Sequence, residues 1–336
     1  MRLIKTEDAV GHVLCHDMTQ IIKDQYKDAR FRKGHVVTEE DIPVLLSMGK
    51  EHLYVWEMTS GMVHENDAAE RLLALCGQEN MIRSGVKEGK IELKAACDGV
   101  FLVDSARLVA VNSQDEVMIA TRKGGMAVRE GDKLAGMRVI PLIIEEEKLQ
   151  KAEQAAGDKP LLSLKPYVRK TACIVATGGE VKKGLIKDTF TPVVIDKLKT
   201  YGIETLEVVY SGDGVENVRD AVLTMREKKP DMILCTGGMS VDPDDTTPSA
   251  IKQTGAEVVS YGAPVLPGAM FLLAYTKDGK PIMGLPGCVM YAKRTIFDLV
   301  LPRVMADVPV TKADLAKMGA GGLCLNCLLY TSDAAD

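Results

Sequence analysis

From residue 168 onward the chain alternates short apolar runs with amphipathic segments, and this alternation limits the folds open to it. "TACIVAT" (171–177) reads as a buried strand and "TFTPVVIDKLKTYG" as a helix closed by Gly202. "ETLEVVY", "DMILCT" and "AEVVSY" read as further strands, separated by the helical segments "VENVRDAVLTMREKKP" and "TPSAIKQTG". "FLLAYTKDGKPIMGL" has the form of a hairpin turning at Asp278-Gly279, and "CVMYAKRTIFDLVLPRVMA" that of a last long helix. Strands separated by helices of this length require crossover connections, hence βαβ units and parallel pairing. The expected fold is a three-layer α/β/α domain over residues 168–306, with a mostly parallel sheet.

In such a sheet ligands sit beyond the carboxyl ends of the strands. Three strands end there in a turn containing glycine: Thr177-Gly178-Gly179-Glu180, Thr236-Gly237-Gly238-Met239-Ser240, and Leu285-Pro286-Gly287. Glycine lets backbone N–H groups approach an anion closely, and helix N-termini add positive dipole ends. A tight strand-to-helix turn uses glycine anyway, but three such turns on one rim point to a ligand. None fits G-x-x-x-x-G-K-[ST] or G-x-G-x-x-G, so neither P-loop hydrolysis nor dinucleotide-dependent dehydrogenation is supported.

The loop "CTGGMSVDPDDTTPSA" (235–250) adds Asp242, Asp244 and Asp245, and Asp213 follows a strand at the same edge. Carboxylates beside a phosphate rim repel the phosphate unless a cation lies between them. Mg²⁺ prefers one or two carboxylates together with phosphate oxygens, so the pattern suggests a phosphorylated small molecule with Mg²⁺. A second reading stays open: Asp245 and Thr247 cap the next helix, with Thr247 as N-cap and Pro248 at its first position. Capping leaves Ser240 and Asp242 unexplained. "GLIKDTF" (184–190) has the same ambiguity, with Asp188 and Thr189 either capping a helix or meeting ligand.

The first half is less regular. "EEDIPVLLSMGKEHLYVWE" suggests a short helix ended at Gly49 and then a strand, and "NDAAERLLALCGQENMI" has helical spacing. Stretches such as "GVFLVDSARLVAV" and "MRVIPLII" are strand-like. Residues 1–150 read as a smaller α+β region, 151–167 as a linker, and 307–336 as a tail. A net charge of −5 and 4% aromatic residues provide neither a basic surface nor stacking platforms, which argues against nucleic acid as a partner. The sequence holds no apolar run of membrane-spanning length and no signal-like start, so a cytoplasmic protein is expected. All five histidines lie between residues 12 and 64, so no nucleophile–histidine pair falls in the α/β region and acyl transfer is not indicated.

Taken in order, "VATGGEV", "GLIKDT", "SGD", "CTGGMSVDPDDTTPSAI", "LPGAM" and "IMGLPGCVMYAKRTIFDLVLPRV" resemble the molybdopterin-binding domain of molybdenum-cofactor biosynthesis proteins. The resemblance covers residues 170–305. It implies molybdopterin as ligand, with Mg²⁺ and molybdate, and either adenylylation of the pterin or molybdate insertion into adenylylated molybdopterin. By motif it implies that Gly237, Gly238 and Ser240 form the pterin-phosphate loop, that Asp213 and Asp245 handle cation or molybdate, and that Pro286 and Gly287 form the last binding turn. It also implies a homo-oligomer.

Two departures keep alternatives open. Asp242 stands where insertase-type members carry glycine, and the further β domain of those members is not expected in the 31 residues after Met305. A carrier of mature cofactor for a molybdenum-dependent apoenzyme and a competence-damage-type nucleotide pyrophosphatase are the rival readings. In the tail, "GAGGLCLNC" places Cys324 and Cys327 as half of a metal site, while "LLYTSDAAD" reads as non-native sequence.

Overall fold

The computed structural model describes residues 2–22, 26–55, 61–242 and 245–323. The chain forms two compact units, one of residues 1–97, 101–124 and 129–164, the other of residues 98–100, 125–128 and 165–336. Cys324 and Cys327, read above as half of a metal site, lie outside the described residues. Among the described residues no helix is long and apolar enough to cross a membrane.

In the first unit, strands Met81–Arg83, Ile91–Ala95, Lys133–Val139 and Val117–Thr121 form an antiparallel four-stranded sheet in that order. Arg2–Lys5 pairs antiparallel with His52–Val55. The expected short helix is Asp41–Ser47, and Gly49 beyond it takes φ +73°. Ala9, Leu14, Met18, Phe31, Leu45 and Leu53 close a small core there. The stretch read as a linker is structured: helix Glu146–Ala156 ends at Gly157, and Leu162–Pro166 is a strand.

The second unit holds a six-stranded sheet, with strands β1 Thr171–Thr177, β2 Glu204–Ser211, β3 Met232–Thr236, β4 Glu257–Tyr261, β5 Leu272–Tyr275 and β6 Pro281–Leu285. Their order is β2-β1-β3-β6-β5-β4. The pairs β1/β2, β1/β3 and β3/β6 are parallel, and β6/β5 and β5/β4 antiparallel. The helices are α1 Gly179–Lys182, α2 Phe190–Lys199, α3 Val215–Glu227, α4 Thr247–Gln253, α5 Ile296–Met305 and α6 Lys312–Lys317.

Side chains alternate across a strand, so β1 serves two cores. Ala172 and Ile174 pack with Val194 and Leu198 of α2 and Val300, Leu301 and Val304 of α5. Cys173 and Val175 pack with Val222 and Met225 of α3 and Ile251 of α4. This gives the three layers expected. Burial pushes the Cys235 thiol up to about 12, so it behaves as a packing residue rather than a nucleophile.

Three local expectations need correction, the first in the smaller unit, where Ser105–Asn112, read as strand-like, is a helix. The last helix does not run from Cys288. Residues Gly287–Met290 make a single 3₁₀ turn, and α5 begins at Ile296. Thr295 and Asp298 form a capping box there, an arrangement that contributes about 1 kcal/mol and fixes where the helix starts. Thr247 is not the N-cap of α4: Thr246 takes that position and Thr247 is the first helical residue. Its hydroxyl donates to the Gly237 carbonyl at 2.9 Å, tying the helix to the glycine loop.

Candidate functional site

Parallel pairing aligns the strand ends. Thr177 lies opposite Ser211, and Ala176 opposite Thr236. Thr236 in turn lies opposite Leu285. The turns after β1, β3 and β6, and Asp213 after β2, therefore emerge on one rim. β4 runs parallel to β6 through the antiparallel β5, which brings Tyr261 to the same rim.

The first two glycine turns interlock. The Thr177 hydroxyl donates to the Thr236 carbonyl at 2.9 Å. Gly237 takes φ +83° and Gly238 φ +58°, the left-handed region that side chains avoid. A Cβ on Gly237 would stand 2.6 Å from the Thr177 carbonyl oxygen, and one on Gly238 2.7 Å from the Thr247 hydroxyl. The second loop thus needs glycine twice, for its conformation and for its approach to β1 and α4.

The aspartates are distributed rather than gathered. Asp213 is exposed, and both its carboxylate oxygens accept from the Gly179 amide, at 3.0 and 2.9 Å. The first glycine turn therefore already faces an anion supplied by the chain. Asp245 is half-buried in the second loop, where its amide donates to the Asp242 carbonyl at 2.9 Å. Asp242 is exposed, and Asp244 lies outside the described residues. β2 and β3 flank β1, so Asp213 and Asp245 leave strands about 10 Å apart by ordinary interstrand spacing. Among the described residues no three His, Cys, Asp or Glu side chains gather as a metal site.

Asp188 is engaged as a cap: its Oδ1 accepts from the amides of Phe190 at 2.9 Å and Thr191 at 3.0 Å, at the start of α2. Burial raises its pKa, but hydrogen bonding at Thr191 and Phe190 outweighs this and leaves the carboxyl below the ordinary aspartate range. The Thr189 hydroxyl donates to Met290 Sδ at 3.2 Å, tying α2 to the turn after β6. Pro286 is buried at the head of that turn, while Gly287, Ser240 and Glu180 are exposed on the rim, and Gly178 is partly exposed beside Gly179.

Sequence reading missed two rim residues. Tyr210 at the end of β2 stands beside Asp188, whose charge, after burial, raises the tyrosine's pKa. The Tyr261 hydroxyl meets the carbonyls of Met239 and Ser240. The only signal for either is a tyrosine at the carboxyl end of a predicted strand.

Residues 173–306 match the family described as a probable molybdopterin binding domain, and residues 3–57 match a domain family of unknown function. The molybdopterin molybdenumtransferase of Synechococcus elongatus is 22% identical over 216 residues, 61% of this chain and 51% of that protein. A CinA-like protein of Petrotoga mobilis is 30% identical over 83 residues, 25% of this chain and 20% of that protein. The chain thus spans from a fifth to about half of the length of these curated relatives. Among solved structures, the molybdopterin biosynthesis enzyme MoaB of Thermus thermophilus is similar with a TM-score of 0.34 and 18% identity, covering 40% of this chain and 91% of that one. Over residues 173–306 the chain is thus similar to the family described as a probable molybdopterin binding domain.

Proposed function

We propose that the protein binds molybdopterin at the carboxyl rim of its α/β sheet and inserts molybdate into the adenylylated pterin, with release of AMP. The observation that carries this reading is the rim: three glycine-bearing turns on adjacent parallel strands, with Asp213 at the end of β2 bonded to the first turn and Asp245 in the second. The similarity to a molybdopterin molybdenumtransferase supports insertion over adenylylation, because it extends over 216 residues and so beyond the span 173–306.

In this reading Thr177, Gly178, Gly179, Glu180, Thr236, Gly237, Gly238, Ser240, Pro286 and Gly287 line the ligand, with Thr247 and Thr189 holding the turns. Asp188 acts through its cap of α2. The donor set fits Mg²⁺: Asp213 and Asp245 are hard oxygen ligands, and the two bonds from Gly179 leave Asp213 about half of its lone-pair sites. A bound Mg²⁺ supplies charge neutralisation between these carboxylates and the ligand phosphates. Asp242, exposed in the same loop, is the third carboxylate of the proposed catalytic set.

The test is AMP release from adenylylated molybdopterin incubated with the full chain. Release is expected only when molybdate and Mg²⁺ are both present. Asp245→Ala should slow it by about 100-fold, the scale of losing one preorganised electrostatic group. Turnover at the wild-type rate in that variant would remove Asp245 from the account. Retention of the pterin without any release would make the protein a carrier that hands cofactor to a molybdenum-dependent apoenzyme. A second reading, nucleotide pyrophosphate hydrolysis, is favoured by the CinA-like relatives, 30% to 34% identical over 83 to 95 residues. ADP-ribose hydrolysis without pterin retention would select it.

A further inference from the structure

The loop after β3 is held by its carbonyls, one after another. Gly237 O accepts from the Thr247 hydroxyl at 2.9 Å, and Gly238 O from the Thr247 amide at 3.2 Å. The Tyr261 hydroxyl, at the end of β4, donates to Met239 O at 3.0 Å, with Ser240 O at 3.2 Å sharing the same proton. Four consecutive carbonyls are thus drawn toward α4 and β4. In a trans peptide the N–H of the next residue points opposite to the carbonyl. The amides of Gly238, Met239, Ser240 and Val241 are therefore turned away from Thr247 and Tyr261. Successive amides presented this way form a concavity that accepts an anion.

We propose that Tyr261 is a positioning residue for the anionic group of the ligand: by holding the Met239 and Ser240 carbonyls it aims the Ser240 and Val241 amides at a phosphate it does not itself touch. The inference rests on the pterin-binding reading and deepens it. Thr247 belongs to the helix that follows the loop, whereas Tyr261 reaches it from another strand and couples it to the edge of the sheet. Burial and then the charge of Asp245 raise the tyrosine's pKa, so its hydroxyl stays protonated and remains a donor. Tyr261 is 43% exposed and Met239, beneath the loop, 4%, so the hydroxyl can be removed without opening the core.

The test compares the full-length protein with Tyr261→Phe, titrating each with molybdopterin and with the same pterin stripped of its phosphate. The variant should bind molybdopterin about tenfold more weakly, the scale of one lost hydrogen bond in the loop, and bind the dephosphorylated pterin as the wild type does. Equal loss on both ligands, or no loss on either, would overturn the proposal. If the wild type retains neither pterin, the pterin reading fails, and inorganic pyrophosphate then decides the role of Tyr261. Weaker pyrophosphate binding in Tyr261→Phe at an unchanged Tm supports the role, and equal binding overturns it.

Discussion

Gly237→Val is expected to cost the protein at least about 100-fold in molybdopterin retention, the penalty of displacing binding groups by about an ångström. The added Cβ would lie 2.6 Å from the Thr177 carbonyl oxygen and 2.7 Å from its hydroxyl. Neither atom can retreat, because Thr177 belongs to the central strand β1 and its hydroxyl is bonded to Thr236 O. A φ of +83° adds the strain of a β-branched residue in the left-handed region, and the two together should lower stability by roughly 2–3 kcal/mol. Urea denaturation reads the second effect, and pterin titration under native conditions reads the first. A folded Gly237→Val protein with wild-type retention would show that this loop does not hold the ligand.

The second large effect lies at the opposite end of the sheet and should leave binding alone. Arg169 is a tie among four segments: it donates to Val304 O at 3.1 Å, Asp231 O at 3.1 Å, Gly279 O at 3.0 Å and Asp307 Oδ1 at 2.6 Å. Its side chain is only 12% exposed, while Asp307 is 66% exposed and can return to water. Arg169→Met leaves three carbonyls without their donor, so a loss of about 3 kcal/mol is expected. Asp231 beside it keeps its own partners, the Lys170 and Thr171 amides and Lys280. Burial works against its ionisation, but these bonds hold its carboxyl at about 2. β1 separates Arg169 from the rim by roughly 20 Å at the usual rise per residue. Native-state pterin affinity should therefore stay within about twofold of wild type while the urea midpoint falls. Parallel loss of both would place the binding determinants outside the rim.

These two variants mark what was legible in the sequence. The rim turns were readable because glycine pairs follow directly on apolar strand runs, a local pattern that parallel pairing then brings together. Arg169, Tyr210 and Tyr261 were not, since their partners lie far away in sequence and are set by strand order. Tyr261 reaches Met239 O only because β4 returns parallel to β6 through an antiparallel β5. The bond between Asp213 and Gly179 is of the same kind: each residue reads as part of a site, but not that one is hydrogen-bonded to the other.

The local errors have local causes. Apolar spacing runs without a break through "CVMYAKRTIFDLV", so the helix appeared to begin too early. The T-x-x-D box at Thr295–Asp298 is the start signal that places the helix after it. At Thr247, a threonine before proline fits an N-cap by sequence, but the helix already includes Thr247 and Thr246 takes the cap position.

The most direct test of the account is amide hydrogen exchange on the full chain with and without molybdopterin. The account predicts that the ligand slows exchange in the segments 177–180, 236–242 and 285–287 together, with little change at Arg169 and its partners. Retained pterin with protection confined to other segments, or no protection by the pterin anywhere, would contradict it.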